Sequence, residues 1–189
     1  PKKVKYWPTV RKCPKVKITA SSANPYLKVI NNDIYSKNGK VLYSVASTKT
    51  KYKVKKSVKE IEDGAFYKND SIKSIYLPDS IKEIGEEAFG DMENLQSIRF
   101  SRSISELDYA MFNKCKKLKT VKLPKRIQTI RGNFGGKKNC YLKKIYINAV
   151  NLKKSNLKSL PKKCKVYVKS KNVKNQVKKA GFKGKVIIR

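Results

Sequence analysis

Side chains that could do chemistry are few in this chain. It contains no histidine, which removes Ser-His-Asp and Cys-His mechanisms and the usual histidine-containing zinc sites. Neighbouring carboxylates occur at Glu60 with Glu62 and at Glu86 with Glu87. Such pairs serve general acid-base catalysis, but here they fall at solvent-facing positions of a repeating unit, and the repeat accounts for them. No P-loop or dinucleotide-binding glycine pattern occurs. Gly132, Gly135 and Gly136 are too loosely spaced for one and read better as a turn in a distorted segment.

Cys13, Cys115, Cys140 and Cys164 lie far apart and lack C-x-x-C spacing, so a metal cluster is not expected. Two readings stay open for them. They are free thiols used as small core residues, or Cys115 and Cys140 form a disulfide, which needs Cα atoms within about 7 Å. Taken together, these residues predict a chain that is not an enzyme, with no cofactor and no metal.

Charge is the remaining chemistry. The net charge is +34 over 189 residues, spread as +15 over residues 1–59, −7 over 60–108 and +26 over 109–189, the last stretch having no acid at all. A field of that strength favours polyanions, a glycosaminoglycan, a teichoic acid or nucleic acid, and speeds their association. Lys116, Lys119, Lys143 and Lys144 are the candidate polyanion contacts. The competing reading is a merely solvated lysine surface. Only Arg11, Arg99, Arg102, Arg126, Arg131 and Arg189 are arginines. Sites that read phosphate or bases favour the arginine fork, so nucleic acid is disfavoured as a partner.

What must position these residues is a repeat. From Val58 to Ala149 the chain reads VKEIEDGAFYKNDSIKSIYLPDS, IKEIGEEAFGDMENLQSIRFSRS, ISELDYAMFNKCKKLKTVKLPKR and a looser IQTIRGNFGGKKNCYLKKIYINA. Phe66, Phe89 and Phe112 recur at 23 residues, whereas Phe134 falls one position early. Leu118, Val121 and Leu123 alternate as in a strand with one face buried. Ala88-Phe89 reads as a brief helical or turn segment, and Pro78 and Pro124 end strands at corners. A single unit cannot bury its own apolar face, so consecutive units must stack around one core.

The flanks read differently. Tyr26–Tyr35 and Val41–Ala46 are β-rich runs around an Asn38-Gly39 hairpin signal, and Val16-Lys17-Ile18 resembles a strand of a truncated first coil. Near the far end Val166-Tyr167-Val168 repeats Ile145-Tyr146-Ile147. Asn172 is the expected cap of a helix carrying Val173, Val177 and Ala180, ended by Gly181 before a strand at Val186-Ile187-Ile188.

The units IKEIGEEAFGDMENLQSIRF and ISELDYAMFNKCKKLKTVKLP resemble the BspA-like class of bacterial leucine-rich repeats. NPYLKVINNDIYSKNGKVLY resembles the hairpin insertion seen between such repeats. The resemblance implies a right-handed leucine-rich-repeat solenoid, mainly β, with a β-hairpin near the N-terminus and a β-α-β cap. It divides into 1–57 (partial coil and hairpin), 58–168 (repeat coils) and 169–189 (cap). It also implies a secreted or surface-attached adhesion module that meets an unknown protein or glycan on a host or neighbouring cell. No run approaches the apolar length of a membrane helix. Pro1 opens a segment with neither signal peptide nor anchor, so the sequence is expected to be a piece of a longer protein.

Strand alternation finally names a contact surface. The residue between two inward positions must point outward, which places Tyr76, Arg99, Lys122, Tyr146 and Tyr167 in one exposed column. Tyrosine beside Lys or Arg is expected there to offer aromatic faces, hydroxyls and positive charge to a partner.

Overall fold

The computed structural model describes residues 17–132, 134 and 140–189. Two walls of short strands enclose one core. The first wall holds β4 (Lys51–Lys53), β6 (Ser74–Tyr76) and β8 (Ser97–Arg99), paired in parallel, with Tyr52, Ile75 and Ile98 in register. It continues beside β8 with β10 (Thr120–Leu123), β12 (Lys144–Ile147), β13 (Lys165–Val168) and β14 (Val186–Ile188), where Val121, Ile145, Val166 and Val186 align. Each of these residues turns inward because side chains alternate along a strand.

The second wall is built the same way from β3 (Val41–Ser44), β5 (Glu60–Ile61) and β7 (Glu83–Ile84), then β9 (Glu106–Leu107) and β11 (Thr129–Ile130). Leu42, Ile61, Ile84, Leu107 and Ile130 are its buried members. Because β3 and β4 already belong to the two walls, coiling extends N-terminally of Val58.

Between the walls runs a column of rings. Centroid distances are 5.3 Å for Tyr52–Phe66 and for Phe66–Phe89, 5.9 Å for Phe89–Phe112 and 6.1 Å for Phe112–Phe134. Phe134 therefore stays in the stack, nearly parallel to Phe112 at 10°, although it comes one residue early in sequence. Gly132 is needed beside it: a Cβ there would lie 2.1 Å from the Tyr109 ring.

The Ala-Phe segments are turns, and each carries two left-handed residues. Gly64, Glu87 and Ala110 hold one position, with φ of 58°, 50° and 49°, and Lys68, Asp91 and Lys114 the other, with φ of 60°, 55° and 53°. That backbone aims amides at the next coil: Phe66 N–H donates to Ala88 O at 2.8 Å and Lys68 N–H to Gly90 O at 2.9 Å. The corners after Pro78 and Pro124 close with Ile81 N–H to Pro78 O and Ile127 N–H to Pro124 O.

Both ends depart from expectation. Tyr26–Tyr35 is not one strand: β1 (Leu27–Ile30) and β2 (Asp33–Ser36) pair antiparallel across Asn31-Asn32, whose φ values of 52° and 66° suit the two-residue turn of a twisted hairpin. With β3 they form a three-stranded meander. Lys17 and Ile18 lie outside any strand, Ile18 N–H donating to Asn32 Oδ1 at 3.1 Å, while Val16 lies outside the described residues. At the far end the cap of α1 (Lys171–Lys179) is Ser170 and not Asn172. The Ser170 hydroxyl accepts from Val173 N–H at 3.2 Å, which places the start two residues earlier. Val173 and Val177 face the core, and Gly181, at φ 91°, turns the chain toward β14.

Candidate functional site

The outer face of the first wall carries two rows of side chains. One row is Lys53, Tyr76 and Arg99, continued one repeat later by Lys122, Tyr146 and Tyr167. Beside it run Lys51, Ser74, Ser97, Thr120, Lys144 and Lys165. Neither row contains a carboxylate. The structure thus aligns Tyr76, Arg99, Lys122, Tyr146 and Tyr167 on one face, a rung of about 4.8 Å apart from neighbour to neighbour. Over β4, β6 and β8 this face hollows into a shallow groove lined by Lys51, Lys53, Tyr76 and Arg99 with Ser74 and Ser97.

The faces of Tyr76 and Tyr146, however, are not open. Tyr76 has the Lys53 ammonium 5.3 Å from its ring centroid on one side in the ladder and the Arg99 guanidinium 4.6 Å from it on the other. Tyr146 stacks on Tyr167 at 4.7 Å and 15°, with Lys122 at 5.8 Å and Arg189 at 4.5 Å. The expectation of free aromatic faces is corrected accordingly. Rings this close to a cation attract it through their quadrupole, so they hold the cations and leave ring edges and hydroxyls to solvent.

Charge is divided by face as well as by segment. On the second wall Glu60, Glu83 and Glu106 recur at the same register position, and with Glu62, Asp63 and Asp108 they line an acidic groove. Partial desolvation, then Asp108, Asp63 and Glu87, push the Glu86 carboxyl above its ordinary range. The acids that lower the net charge of residues 60–108 therefore sit largely away from the basic wall. Among the described residues no group of three or more His, Cys, Asp or Glu is placed to hold a metal ion.

The four lysines expected to meet a polyanion are not equivalent. Lys116 Nζ lies 2.7 Å from Glu93 of the preceding coil, so its charge is already answered. Lys119 Nζ donates to Lys116 O and lies 5.3 Å from the Tyr141 ring centroid. Lys143 and Lys144 are exposed, and Lys144 belongs to the basic wall. Lys51, Lys53, Lys165 and Arg189 were missed in the sequence. The first two stand 23 residues before Ser74 and Tyr76, which was a usable signal. Arg189 reaches back across the sheet to donate to Asn148 Oδ1 at 2.9 Å, which no local spacing announces.

A family model described as BspA type leucine rich repeat region, in six copies, matches residues 27–166. The chain belongs to this family. The BspA-type chain is similar in fold to pneumococcal vaccine antigen PcpA, with 22% identity and a TM-score of 0.66 over 89% of this chain and 49% of that one. It is similar also to a leucine-rich cell surface protein of Faecalibacterium prausnitzii, with 24% identity and a TM-score of 0.60 over 86% of this chain and 39% of that one. A leucine-rich-repeat protein of Bacteroides capillosus aligns at 18% identity and a TM-score of 0.58, over 65% of this chain and 99% of that one. The BspA-type chain thus spans half or less of the first two proteins. A search of curated proteins finds no match. No helix among the described residues is long and apolar enough to cross a membrane.

Two buried groups complete the chemistry of this BspA-type chain. Asp33 is buried at the join of hairpin and coil. Its Oδ1 accepts from Ala46 N–H at 3.0 Å and Ser47 N–H at 3.2 Å, and its Oδ2 from Tyr52 O–H at 2.6 Å. Burial outweighs those hydrogen bonds and pushes its carboxyl up to about 6. Cys115, Cys140 and Cys164 are free and buried, and Cys115 Sγ donates to Phe89 O at 3.0 Å. Burial raises these thiols to about 12, 11 and 12, so little nucleophilic thiolate forms at neutral pH. Cys13 lies outside the described residues.

Proposed function

We propose that this chain is a non-enzymatic interaction module of a secreted or surface-attached bacterial protein, and that the outer strand wall is its contact face. The partner is a protein or glycan on a host or neighbouring cell. One observation carries the reading: the repeat aligns cations, tyrosine edges and hydroxyls in two rows that contain no carboxylate, while Glu60, Glu83 and Glu106 recur on the opposite wall. Membership of a repeat family whose members are generally interaction modules supports it.

The test uses labelled protein on epithelial monolayers and on bacterial cells. The triple variant Arg99→Ala, Lys122→Ala and Tyr146→Ala changes outward residues only, so it folds as the parent does by circular dichroism. It binds about tenfold more weakly. Undiminished binding by the folded variant moves the contact face elsewhere. A second reading, a polyanion-binding module centred on the basic C-terminal half, is favoured by the lysines of β10, β12 and β13 standing on that wall.

A further inference from the structure

Lysines stacked on successive rungs repel one another, as like charges directly opposite in a sheet do. Lys144 and Lys165 are such neighbours, and Arg99 and Lys122 stand one repeat apart in the other row. None of the four forms an ion pair with a carboxylate among the described residues; the ion pairs there engage Arg102, Lys114, Lys116 and Arg131. A chain of anions laid across the rungs relieves that repulsion along its whole length, which a single small anion does not.

The rings decide which polymer. Single-stranded nucleic acid is held by bases stacking on open aromatic faces. Here the faces of Tyr76 are flanked by Lys53 and Arg99, and Tyr146 is enclosed by Tyr167, Lys122 and Arg189. What the wall presents is ammonium and guanidinium groups steadied against rings, phenol edges, and the hydroxyls of Ser74, Ser97 and Thr120. Steadied cations lose less side-chain freedom on binding than free ones. Cations and hydroxyls are interspersed on the wall, Lys53, Arg99 and Lys122 in one row and Lys51, Lys144 and Lys165 with Ser74, Ser97 and Thr120 in the other, which matches a ligand that alternates anionic groups with sugar hydroxyls.

Resting on the strand wall as contact face, we propose that its ligand is a linear acidic polysaccharide, running across the rungs, its sulfate or carboxylate groups on Lys53, Arg99, Lys122, Lys144 and Lys165 and its hydroxyls on Ser74, Ser97 and Thr120.

Any protein of this net charge adheres to polyanions, so the test compares equal charge changes on two faces. The wall variant carries Lys53→Glu, Arg99→Glu, Lys122→Glu, Lys144→Glu and Lys165→Glu. The matched variant carries Lys82→Glu, Lys153→Glu, Lys154→Glu, Lys171→Glu and Lys179→Glu, all exposed and off the wall. Binding to heparin, hyaluronan, duplex DNA, single-stranded DNA and neutral dextran is titrated with salt. Should the wall variant fail to fold, the same five positions changed to Gln replace it.

The expected result is an affinity for the acidic polysaccharides about tenfold or more weaker in the wall variant than in the matched one, with a salt slope about 3 smaller. Heparin above hyaluronan assigns sulfate, and the reverse assigns carboxylate; either supports the proposal. Dextran does not bind, and the DNAs bind less tightly than the better polysaccharide. Equal losses in the two variants, or DNA bound as tightly as polysaccharide, overturns the proposal. If cell binding still falls with the Arg99, Lys122 and Tyr146 triple variant in that case, the contact face survives without the polysaccharide.

Discussion

Asp33 gives this protein a pH dependence of unusual sign for a carboxylate. Its folded pKa, about 6, lies above the ordinary 3.8, so the native state holds a proton that the unfolded chain releases. Its contribution is fully present below about pH 4 and is lost as pH rises through 6. Relative to Asp33→Asn, the parent should therefore lose on the order of 3 kcal/mol of stability between pH 4 and pH 7. Denaturant titrations of both proteins at several pH values check this, and a constant gap between them contradicts it. The cysteines make a second residue-scale prediction. A thiol reagent at neutral pH should leave Cys115, Cys140 and Cys164 unlabelled in the native protein and label them all in denaturant, because they are buried and un-ionised. A linked Cys115–Cys140 peptide in unreduced protein would refute the free-thiol state.

Within each element the turn and the ring column carry opposite energetics. Ala110 sits at φ 49°, where Gly64 sits two coils earlier. A Cβ in that region is strained and glycine is not. Ala110→Gly should stabilise by about 0.5–1 kcal/mol, seen as a raised urea midpoint. A lowered midpoint would mean that the methyl contributes more by packing than it costs in strain. Phe89, fully buried between Phe66 and Phe112, should cost about 3–5 kcal/mol when changed to alanine. A loss below about 1 kcal/mol would remove it from the stack. These elements were unequally legible. The 23-residue apolar register announced the strands and rings directly, since burial fixes it. Asn31-Asn32 was overlooked because Val29, Ile30 and Ile34 supply β-propensity on both sides, and only the pair of asparagines reports the turn. The Ser170 cap was missed for Asn172 because either residue suits a cap.

At the scale of the molecule, charge had to be counted by face. Summed along the chain, residues 60–108 look acidic, yet Arg99 and Tyr76 from that stretch stand on the basic wall while Glu60, Glu83 and Glu106 stand on the opposite one. The same 23-residue step that aligned the core would have shown this, and would have paired Lys116 with Glu93. Arg189 over Tyr146 was beyond any repeat, because it comes from the cap. The contact-face account is tested most directly by lysine acetylation of the protein with and without a heparin oligosaccharide, read residue by residue by mass spectrometry. The account predicts protection concentrated at Lys53, Lys122, Lys144 and Lys165, with Lys82, Lys153 and Lys171 modified as fast as in the free protein. Protection spread evenly over both sets, or confined to the second, would contradict it.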